Sequence, residues 1–174
     1  MNARSFSSHV AQSAYLLGLI SDTHGLMRPE ALEALQGTDL IIHAGDIGDP
    51  AVLESLATIA PVRAIRGNND RGAWAANFLA TEAVVELGPH SIYVLHNLIE
   101  LDLDPAAAGF TAVVCGHSHK PAVEKRGSVL FVNPGSAGPR RFKLPVTVAT
   151  MTLSFGRCEA HVVPLRLTQL SGKR

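Results

Sequence analysis

The chain has 174 residues, of which 47% are hydrophobic and 17% charged, and its lysines and arginines equal its acidic residues in number. These values are typical of a globular protein and exclude a disordered chain. A formal net charge of zero also argues against general nucleic-acid binding, because duplex binding normally requires a basic face.

The sequence predicts one domain in a reducing compartment. Two cysteines, Cys115 and Cys158, provide no disulfide framework, so we expect a cytoplasmic protein. No apolar run approaches the ~20 residues of a membrane-spanning helix, so no membrane association is expected. Residues 1–13 are polar and precede an apolar run, which predicts a flexible tail and then a single domain at 14–174.

The first half of the chain alternates strand and helix patterns. Apolar runs predict strands at 15–20, 39–43 and 62–66. Pro29 and the Asp49-Pro50 pair suit the first turns of two intervening helices. This alternation predicts an α/β fold with a parallel sheet whose strands end along one edge.

The second half is poorer in helix. Its apolar runs predict strands at 83–87, 91–95, 110–115, 129–132, 146–153 and 159–163. A short helix is expected at 104–108, and residues from 165 onward are expected to fray.

Seven side chains with oxygen or imidazole donors directly follow apolar runs: Asp22, His24, Asp46, Asn68, His96, His117 and His119. Residues two apart in extended backbone share a face, so the Asp22/His24 and His117/His119 pairs are each predicted to point at one centre. Asp46, which follows Gly45 at a strand end, is predicted to bridge two metal ions ~3.5–4 Å apart. An anionic carboxylate with two oxygens can bind both ions while screening their repulsion.

Five motifs in this order resemble the calcineurin-like metallophosphoesterase superfamily: D-x-H at 22–24, G-D at 45–46, G-N-x-D at 67–70, the lone His96 and G-H-x-H at 116–119. The run 133–136, Asn-Pro-Gly-Ser, and the small size resemble its compact YfcE-like phosphodiesterase branch. The resemblance implies a four-layer α/β sandwich, in which two facing β-sheets are flanked by helices.

The resemblance also implies two ligand sets that share Asp46. One metal would be held by Asp22, His24, Asp46 and His119, and the other by Asp46, Asn68, His96 and His117. Mixed carboxylate, amide and imidazole ligands favour Mn²⁺, with Zn²⁺, Fe or Ni²⁺ as alternatives. The implied reaction is hydrolysis of a small phosphoester, most simply a diester, by in-line attack of a metal-bridging hydroxide.

Two positions depart from the pattern of the family. Many relatives carry G-N-H-E, whose histidine can serve as a general acid, whereas this chain has Asn69, which cannot donate a proton at neutral pH. This favours substrates with good leaving groups, or protonation of the leaving group by water. Asn69 is a candidate catalytic residue, or simply binds the substrate phosphate. Asn97 follows His96 where glycine is common, and a left-handed turn is expected there.

Several residues keep two interpretations. Asp70 is a candidate catalytic residue, or a structural residue that holds a ligand imidazole from behind. Arg140 and Arg141 are candidates for binding the substrate phosphate, or are simply exposed loop residues. His43 is expected to pack beside the site.

One alternative function belongs to a different class. The retromer subunit of this superfamily is a binding module, so a non-catalytic, metal-binding interaction scaffold of the same fold is the competing hypothesis. All seven ligand positions are intact here, which favours an enzyme. Exposed sheet edges also leave homo-oligomerisation open.

Overall fold

The computed structural model describes residues 14–141 and 143–167. The expected tail at 1–13 and most of the expected fraying end lie outside these residues. The elements of the described chain are β1 (Ala14–Ile20), α1 (Pro29–Ala34), β2 (Leu40–Ala44), α2 (Pro50–Ala57), β3 (Val62–Ile65), α3 (Ala73–Phe78), β4 (Glu82–Leu87), β5 (His90–Leu95), a 3₁₀ helix (Leu98–Glu100), β6 (Ala112–Val114), β7 (Ala122–Arg126), β8 (Val129–Asn133), β9 (Thr147–Ser154) and β10 (Arg157–Pro164).

The strands form two five-stranded mixed sheets. The first sheet has the order β10-β9-β1-β2-β3, in which β1, β2 and β3 are parallel, as the alternation of strands and helices predicts. The second sheet has the order β4-β5-β6-β8-β7, with a parallel centre and an antiparallel strand at each edge. The parallel strands of the second sheet therefore have partners on both sides, whereas β3 is an edge strand of the first sheet.

The two sheets face each other across a continuous apolar core. Leu17, Leu19 and Ile42 of the first sheet contribute to the same buried cluster as Val94 and Val114 of the second. Residues 17 and 19 alternate with Gly18, which faces the other way along the strand. A Cβ at Gly18 would lie 2.7 Å from the Leu35 side chain, so this glycine lets the segment containing α1 pack closely on β1.

The outer faces of the sheets are covered differently. α1 and α2 bury Ala31, Val52 and Leu56 against the first sheet. The second sheet buries Tyr93 and Phe131, among other residues, beneath the 3₁₀ helix and the segment that follows it. The expected two facing sheets with outer layers are confirmed, and over the second sheet the outer layer consists of the 3₁₀ helix and turns.

Three local expectations differ from the structure. The helix expected at 104–108 is a series of turns: the Asp104 carboxylate caps its start by accepting hydrogen bonds from the amides of Ala106 and Ala107, and left-handed Gly109 ends it. Neither α3 nor β7 was expected. β7 is exposed along its whole length and so lacks the buried alternation that identifies a strand in sequence.

Loops from both sheets meet at one end of the sandwich. The Asp22 amide donates to the Gly45 carbonyl at 3.0 Å, and the His24 amide donates to the Asp46 carbonyl at 2.9 Å. The Gly116 amide donates to the His96 carbonyl at 2.9 Å. The topology therefore brings together the loops after β1, β2, β5 and β6, which carry six of the seven ligand candidates.

None of the helices in the described ranges has the length and hydropathy needed to span a bilayer.

We expect Leu19→Ala to lower the free energy of unfolding by about 2–5 kcal/mol, because Leu19 is fully buried between the sheets and its truncation leaves a cavity. Ile99→Ala is the matched control, since Ile99 is 91% exposed, and it should change stability by less than about 0.5 kcal/mol. Urea denaturation followed by circular dichroism measures both values. Equal effects of the two substitutions would contradict the assignment of the core.

Candidate metal centre

Five of the seven ligand candidates adopt left-handed backbone conformations. Asp22, His24, Asp46, His117 and His119 have φ between 48° and 65°, and they are the only non-glycine residues with positive φ in the described ranges. The expectation that the two pairs lie on extended backbone is therefore wrong. Both members of each pair are left-handed, so tight turns, rather than the alternation of a strand, set the directions of their side chains. Asp22 and His24 meet at one centre together with His119, whereas His117 lies beside His96.

Asp22 is fully buried and has one uncommitted oxygen. Its Oδ2 accepts a hydrogen bond from the Ser21 hydroxyl and another from the His117 amide at 3.1 Å. Its Oδ1 is buried and has no hydrogen-bond partner. Burial raises the pKa of Asp22, because the charged form loses its water. A bare, desolvated carboxylate oxygen of this kind is costly unless a cation faces it.

Two imidazoles surround that free oxygen. Nε2 of His119 lies 3.2 Å from Asp22 Oδ1, and Nε2 of His24 lies 4.0 Å from it. The two Nε2 atoms are 3.5 Å apart, and the rings stack. Burial lowers the pKa of both histidines, and the positive charge of Arg141 lowers it further, which favours the neutral, metal-ligating form. Asp22, His24 and His119 thus form a group that could hold a metal ion.

His96 presents a nitrogen lone pair to Asp46. Its Nδ1 donates to the Ala44 carbonyl at 2.7 Å, which in the neutral ring leaves Nε2 without a proton. Nε2 is buried, has no hydrogen-bond partner and lies 3.4 Å from Asp46 Oδ2. Burial lowers the pKa of His96, but the Asp46 carboxylate and the Ala44 carbonyl outweigh it and raise that pKa overall. Asp22, Asp46 and His96 form a second group that could hold a metal ion.

Asp46 lies between the two groups of imidazoles. Its Oδ2 is 3.9 Å from His24 Nε2 and 3.4 Å from His96 Nε2. Burial raises the pKa of Asp46, but His96 and the two amide groups of Asn69 outweigh it and hold that pKa below its usual value. Asp22 belongs to both three-residue groups. The assignment of Asp46 as the bridging ligand stays a prediction.

Asn68 and His117 lie at the exposed side of the centre. His117 Nδ1 is 3.0 Å from Asn68 Oδ1, and the His117 ring packs edge-on against His96 at 5.3 Å. His117 belongs to neither of the two groups above. Asn68 and His117 are placed beside His96, where a second ion would need them, and their role as ligands stays a prediction.

Glycines leave room for the ligands. A Cβ at Gly67 would collide with the Asp46 carboxylate, and one at Gly45 would lie 2.7 Å from His96 Nδ1. A Cβ at Gly116 would lie 2.6 Å from Ser21 Oγ and 2.8 Å from Asp22 Oδ2. Lack of space therefore explains the glycine in each of the G-D, G-N and G-H motifs, and Gly45 also has a left-handed φ of 91°.

Asn69 and Asp70 both contact the loop that carries Asp46. The Asn69 amide nitrogen and side-chain Nδ2 donate to the two Asp46 carboxylate oxygens at 2.8 Å and 2.6 Å. The Asp70 carboxylate accepts from the Gly48 amide at 2.7 Å and from the Gly67 amide at 2.8 Å. Asp70 therefore ties two ligand-bearing loops together, and its recorded partners are backbone amides rather than an imidazole.

The remaining candidates lie farther out. Arg140 and Arg141 are exposed, and the charge of Arg141 acts on both His24 and His119. A left-handed turn was predicted at Asn97, and that prediction is wrong. Asn97 is extended, because its side chain caps the 3₁₀ helix. His43 is fully buried beside the site, as expected, and burial lowers its pKa to about 3, so it is neutral.

Apart from His43, sequence reasoning missed the residues that support the ligands. Thr23 Oγ1 lies 2.9 Å from His43 Nε2 and donates to the Ile47 carbonyl. The Ser136 hydroxyl donates to the Asp22 carbonyl at 2.9 Å, and the Asn133 amide donates to the Gly116 carbonyl at 2.7 Å. The motif from Asn133 to Ser136 is visible in the sequence. Its role is not, because Ser136 contacts Asp22, which lies 114 residues earlier in the chain.

The donor set fits divalent metal ions. Two buried carboxylates face imidazole nitrogens, and two of these buried atoms, Asp22 Oδ1 and His96 Nε2, have no hydrogen-bond partner. Hard oxygen and borderline nitrogen donors suit Mn²⁺, Fe, Ni²⁺ or Zn²⁺.

A family model, the calcineurin-like phosphoesterase superfamily domain, matches residues 16–156. The chain belongs to this superfamily. It is 32% identical to a probable metallophosphoesterase of Methanocaldococcus jannaschii over 164 residues, which cover 86% of this chain and 81% of the relative.

Solved structures share the fold at lower sequence identity. A novel archaeal phosphodiesterase matches with a TM-score of 0.70 and 22% identity over 85% of this chain and 99% of its own. YfcE, a phosphoesterase from E. coli, matches with a TM-score of 0.62 and 22% identity over 87% and 100%. Vacuolar Protein Sorting 29 from Cryptosporidium parvum matches with a TM-score of 0.69 and 20% identity over 87% and 98%.

We expect Mn²⁺ to raise the melting temperature of the wild-type protein, because a ligand that binds only the folded state stabilises it. Asp22→Asn should weaken Mn²⁺ binding by at least about 10-fold, since it removes the anionic oxygen common to both groups. Calorimetric titration of metal-free protein measures the affinity. Asp102→Asn, at an exposed loop position, is the control. Equal affinity in the two variants would contradict a metal centre at Asp22.

Proposed function

We propose that this protein is a metal-dependent phosphodiesterase with two divalent ions, Mn²⁺ being the first candidate and Zn²⁺, Fe or Ni²⁺ the alternatives. The observation that carries the proposal is the convergence of Asp22, Asp46, His24, His96 and His119, whose ligand atoms form two overlapping groups, each within 4.8 Å. Membership of the phosphoesterase superfamily is the independent support.

The chain supplies ligands, orientation and charge. Asp22, His24, Asp46 and His119 would hold one ion, and Asp46, Asn68, His96 and His117 the other. When bound, the two ions supply Lewis acidity, which acidifies the attacking water and neutralises charge that develops on the phosphoryl oxygens. Arg141 and Arg140 would bind the substrate phosphate; the support is that the charge of Arg141 acts on both His24 and His119.

The leaving group receives no proton from Asn69. Its amide is neutral and its Nδ2 is held by the Asp46 carboxylate, so its role is to orient Asp46 and to donate a hydrogen bond to the phosphate. Asp70 acts through the two backbone amides that it fixes. The leaving alcohol must therefore depart as an anion or take its proton from water.

A diester substrate is supported by the space beside the metal centre. A cavity of about 350 Å³ adjoins His96, Asn68 and His117, and it provides room for an ester group that a phosphomonoester lacks. The similarity in fold to an archaeal phosphodiesterase points the same way.

The two free cysteines support a reducing, cytoplasmic location, and Cys115 is buried, which raises its pKa to about 11.

An interaction scaffold is the second candidate, favoured by the similarity in fold to Vacuolar Protein Sorting 29. The two hypotheses differ in turnover. A scaffold would bind metal without metal-dependent hydrolysis, whereas an enzyme loses hydrolysis together with its ligands.

We expect metal-depleted protein to be inactive and Mn²⁺ to restore hydrolysis of bis-p-nitrophenyl phosphate. Asp46→Asn should lower kcat by about 10³-fold or more, since it removes negative charge at the centre of the site. Glu54→Gln, on the exposed side of α2, is the control and should retain full activity. The absorbance of released p-nitrophenol, followed as Mn²⁺ is added, reports turnover. Metal-loaded wild-type protein without turnover would favour the scaffold.

We expect the rate to fall steeply as the pKa of the leaving phenol rises in a series of aryl methyl phosphates, because no side chain at position 69 transfers a proton. Asn69→His should make this dependence shallower, and Asn77→His, at an exposed position of α3, should not. The slope of log kcat/KM against the pKa of the phenol is the measurement. A flat dependence in the wild-type protein would show that another group protonates the leaving oxygen.

A further inference from the structure

The cavity beside the metal centre carries charged groups that the proposed hydrolysis does not use. Its volume is about 350 Å³, and its walls come from the loop after β3, the start of β4, and the 3₁₀ helix with the residue before it. The polar residues that matter here are Arg66, Asn68, Glu82, Asn97, Glu100 and His117. Asn68 and His117 belong to the predicted ligands of the second metal, so the cavity opens directly onto that position.

Three charged side chains of the cavity, those of Arg66, Glu82 and Glu100, do not form ion pairs with one another. Within the described part of the chain, Arg66, Glu82 and Glu100 have no ion-pair partner within 4.0 Å, since the basic residues with acidic partners are Arg126 and Arg157. Arg66 is half-buried, whereas Glu82 and Glu100 are exposed. A half-buried guanidinium and two carboxylates in one small cavity are therefore available to a bound molecule.

Each carboxylate is oriented by a neighbour. Glu82 accepts a hydrogen bond from the Tyr93 hydroxyl, and Glu100 Oε1 accepts one from Asn97 Nδ2 at 3.1 Å. Each of these contacts uses one of the two carboxylate oxygens, so acceptor capacity remains on both. Asp70 also lines the cavity, but its two oxygens are engaged by backbone amides.

Glu82 and Glu100 against Arg66 leave one net negative charge, and Asp70, whose partners are neutral amides, adds another. An ester group with a second anion would be repelled by the two carboxylates, whereas a cationic group would be attracted to them. A guanidinium pairs well with the charged oxygen that every phosphodiester has.

We propose that the substrate is a phosphodiester with a cationic amino-alcohol group, and that Glu82 and Glu100 bind the ammonium while Arg66 binds the phosphodiester anion. This inference rests on the proposed function, because the cavity matters to the reaction only if phosphorus is attacked at the adjoining metal centre. Glu82 and Glu100 are specificity residues in this assignment.

The test uses two symmetric phosphodiesters of nearly equal size. Bis(2-aminoethyl) phosphate carries ammonium groups, and dipropyl phosphate is its neutral-armed analogue. Because both are symmetric, the result does not depend on which ester group occupies the cavity. Calorimetric titration of the full-length, Mn²⁺-loaded protein gives each Kd without requiring turnover.

We expect the amino compound to bind wild-type protein about 10-fold more tightly, since two partly exposed charge pairs each contribute modestly. Glu82→Gln and Glu100→Gln should each reduce that ratio by about 3-fold, and the double variant should bring it to about 1. Gln at 82 retains an oxygen acceptor for the Tyr93 hydroxyl. Glu86→Gln, four residues along the same strand and outside the cavity, is the matched control and should keep the ratio.

Arg66→Gln should weaken both compounds by a similar factor, because both have the same phosphate anion. The proposal is overturned if the wild-type protein binds the two compounds equally, or if the double glutamine variant keeps the preference. Hydrolysis of bis-p-nitrophenyl phosphate tests the proposed phosphodiesterase function separately from the amino-alcohol assignment. Turnover without a preference overturns the amino-alcohol assignment alone, and loss of turnover with a retained preference overturns the proposed function alone.

Discussion

The candidate metal centre depends on placing two carboxylates, Asp22 and Asp46, close together in a buried pocket lined by imidazole nitrogens. This arrangement is unfavourable without a cation, because desolvated anions and nitrogen lone pairs then face each other. The bare Asp22 oxygen and the bare His96 nitrogen show the same conflict atom by atom. Divalent ions would resolve the conflict, and metal affinity and folding stability are therefore linked through these side chains.

The fold holds this arrangement with rigid backbone contacts. Left-handed conformations at five ligand positions cost of order 1–3 kcal/mol each, and such strain persists only where the surrounding structure over-determines it. Backbone hydrogen bonds between the loops after β1 and β2, the Asp70 carboxylate on two amides, and the Ser136 hydroxyl on the Asp22 carbonyl provide that restraint. Asp and His tolerate left-handed backbone better than bulky or branched residues, which adds a conformational reason for these residue types.

The two halves of the molecule contribute unequally to the site. The first sheet supplies both buried carboxylates, whereas the second supplies His96, His117 and His119. Of the charged groups in the adjoining cavity, Glu82 comes from β4 of the second sheet and Glu100 from the 3₁₀ helix that follows β5, whereas Arg66 follows β3 of the first sheet. The residues that would bind metal are therefore fixed by motifs, while the groups that would select a substrate lie outside every motif.

The superfamily, the parallel βαβαβ unit and the seven ligand candidates could all be predicted from the sequence, because each motif is local and each apolar run marks a strand. The left-handed turns at Asp22 and His119, the capping role of Asn97 and the exposed strand β7 could not be predicted. Nor could the sequence place Arg66, Glu82 and Glu100 around one cavity. These features depend on how the chain folds, because they arise largely from contacts between distant segments, and a local pattern contains no information about which distant groups meet.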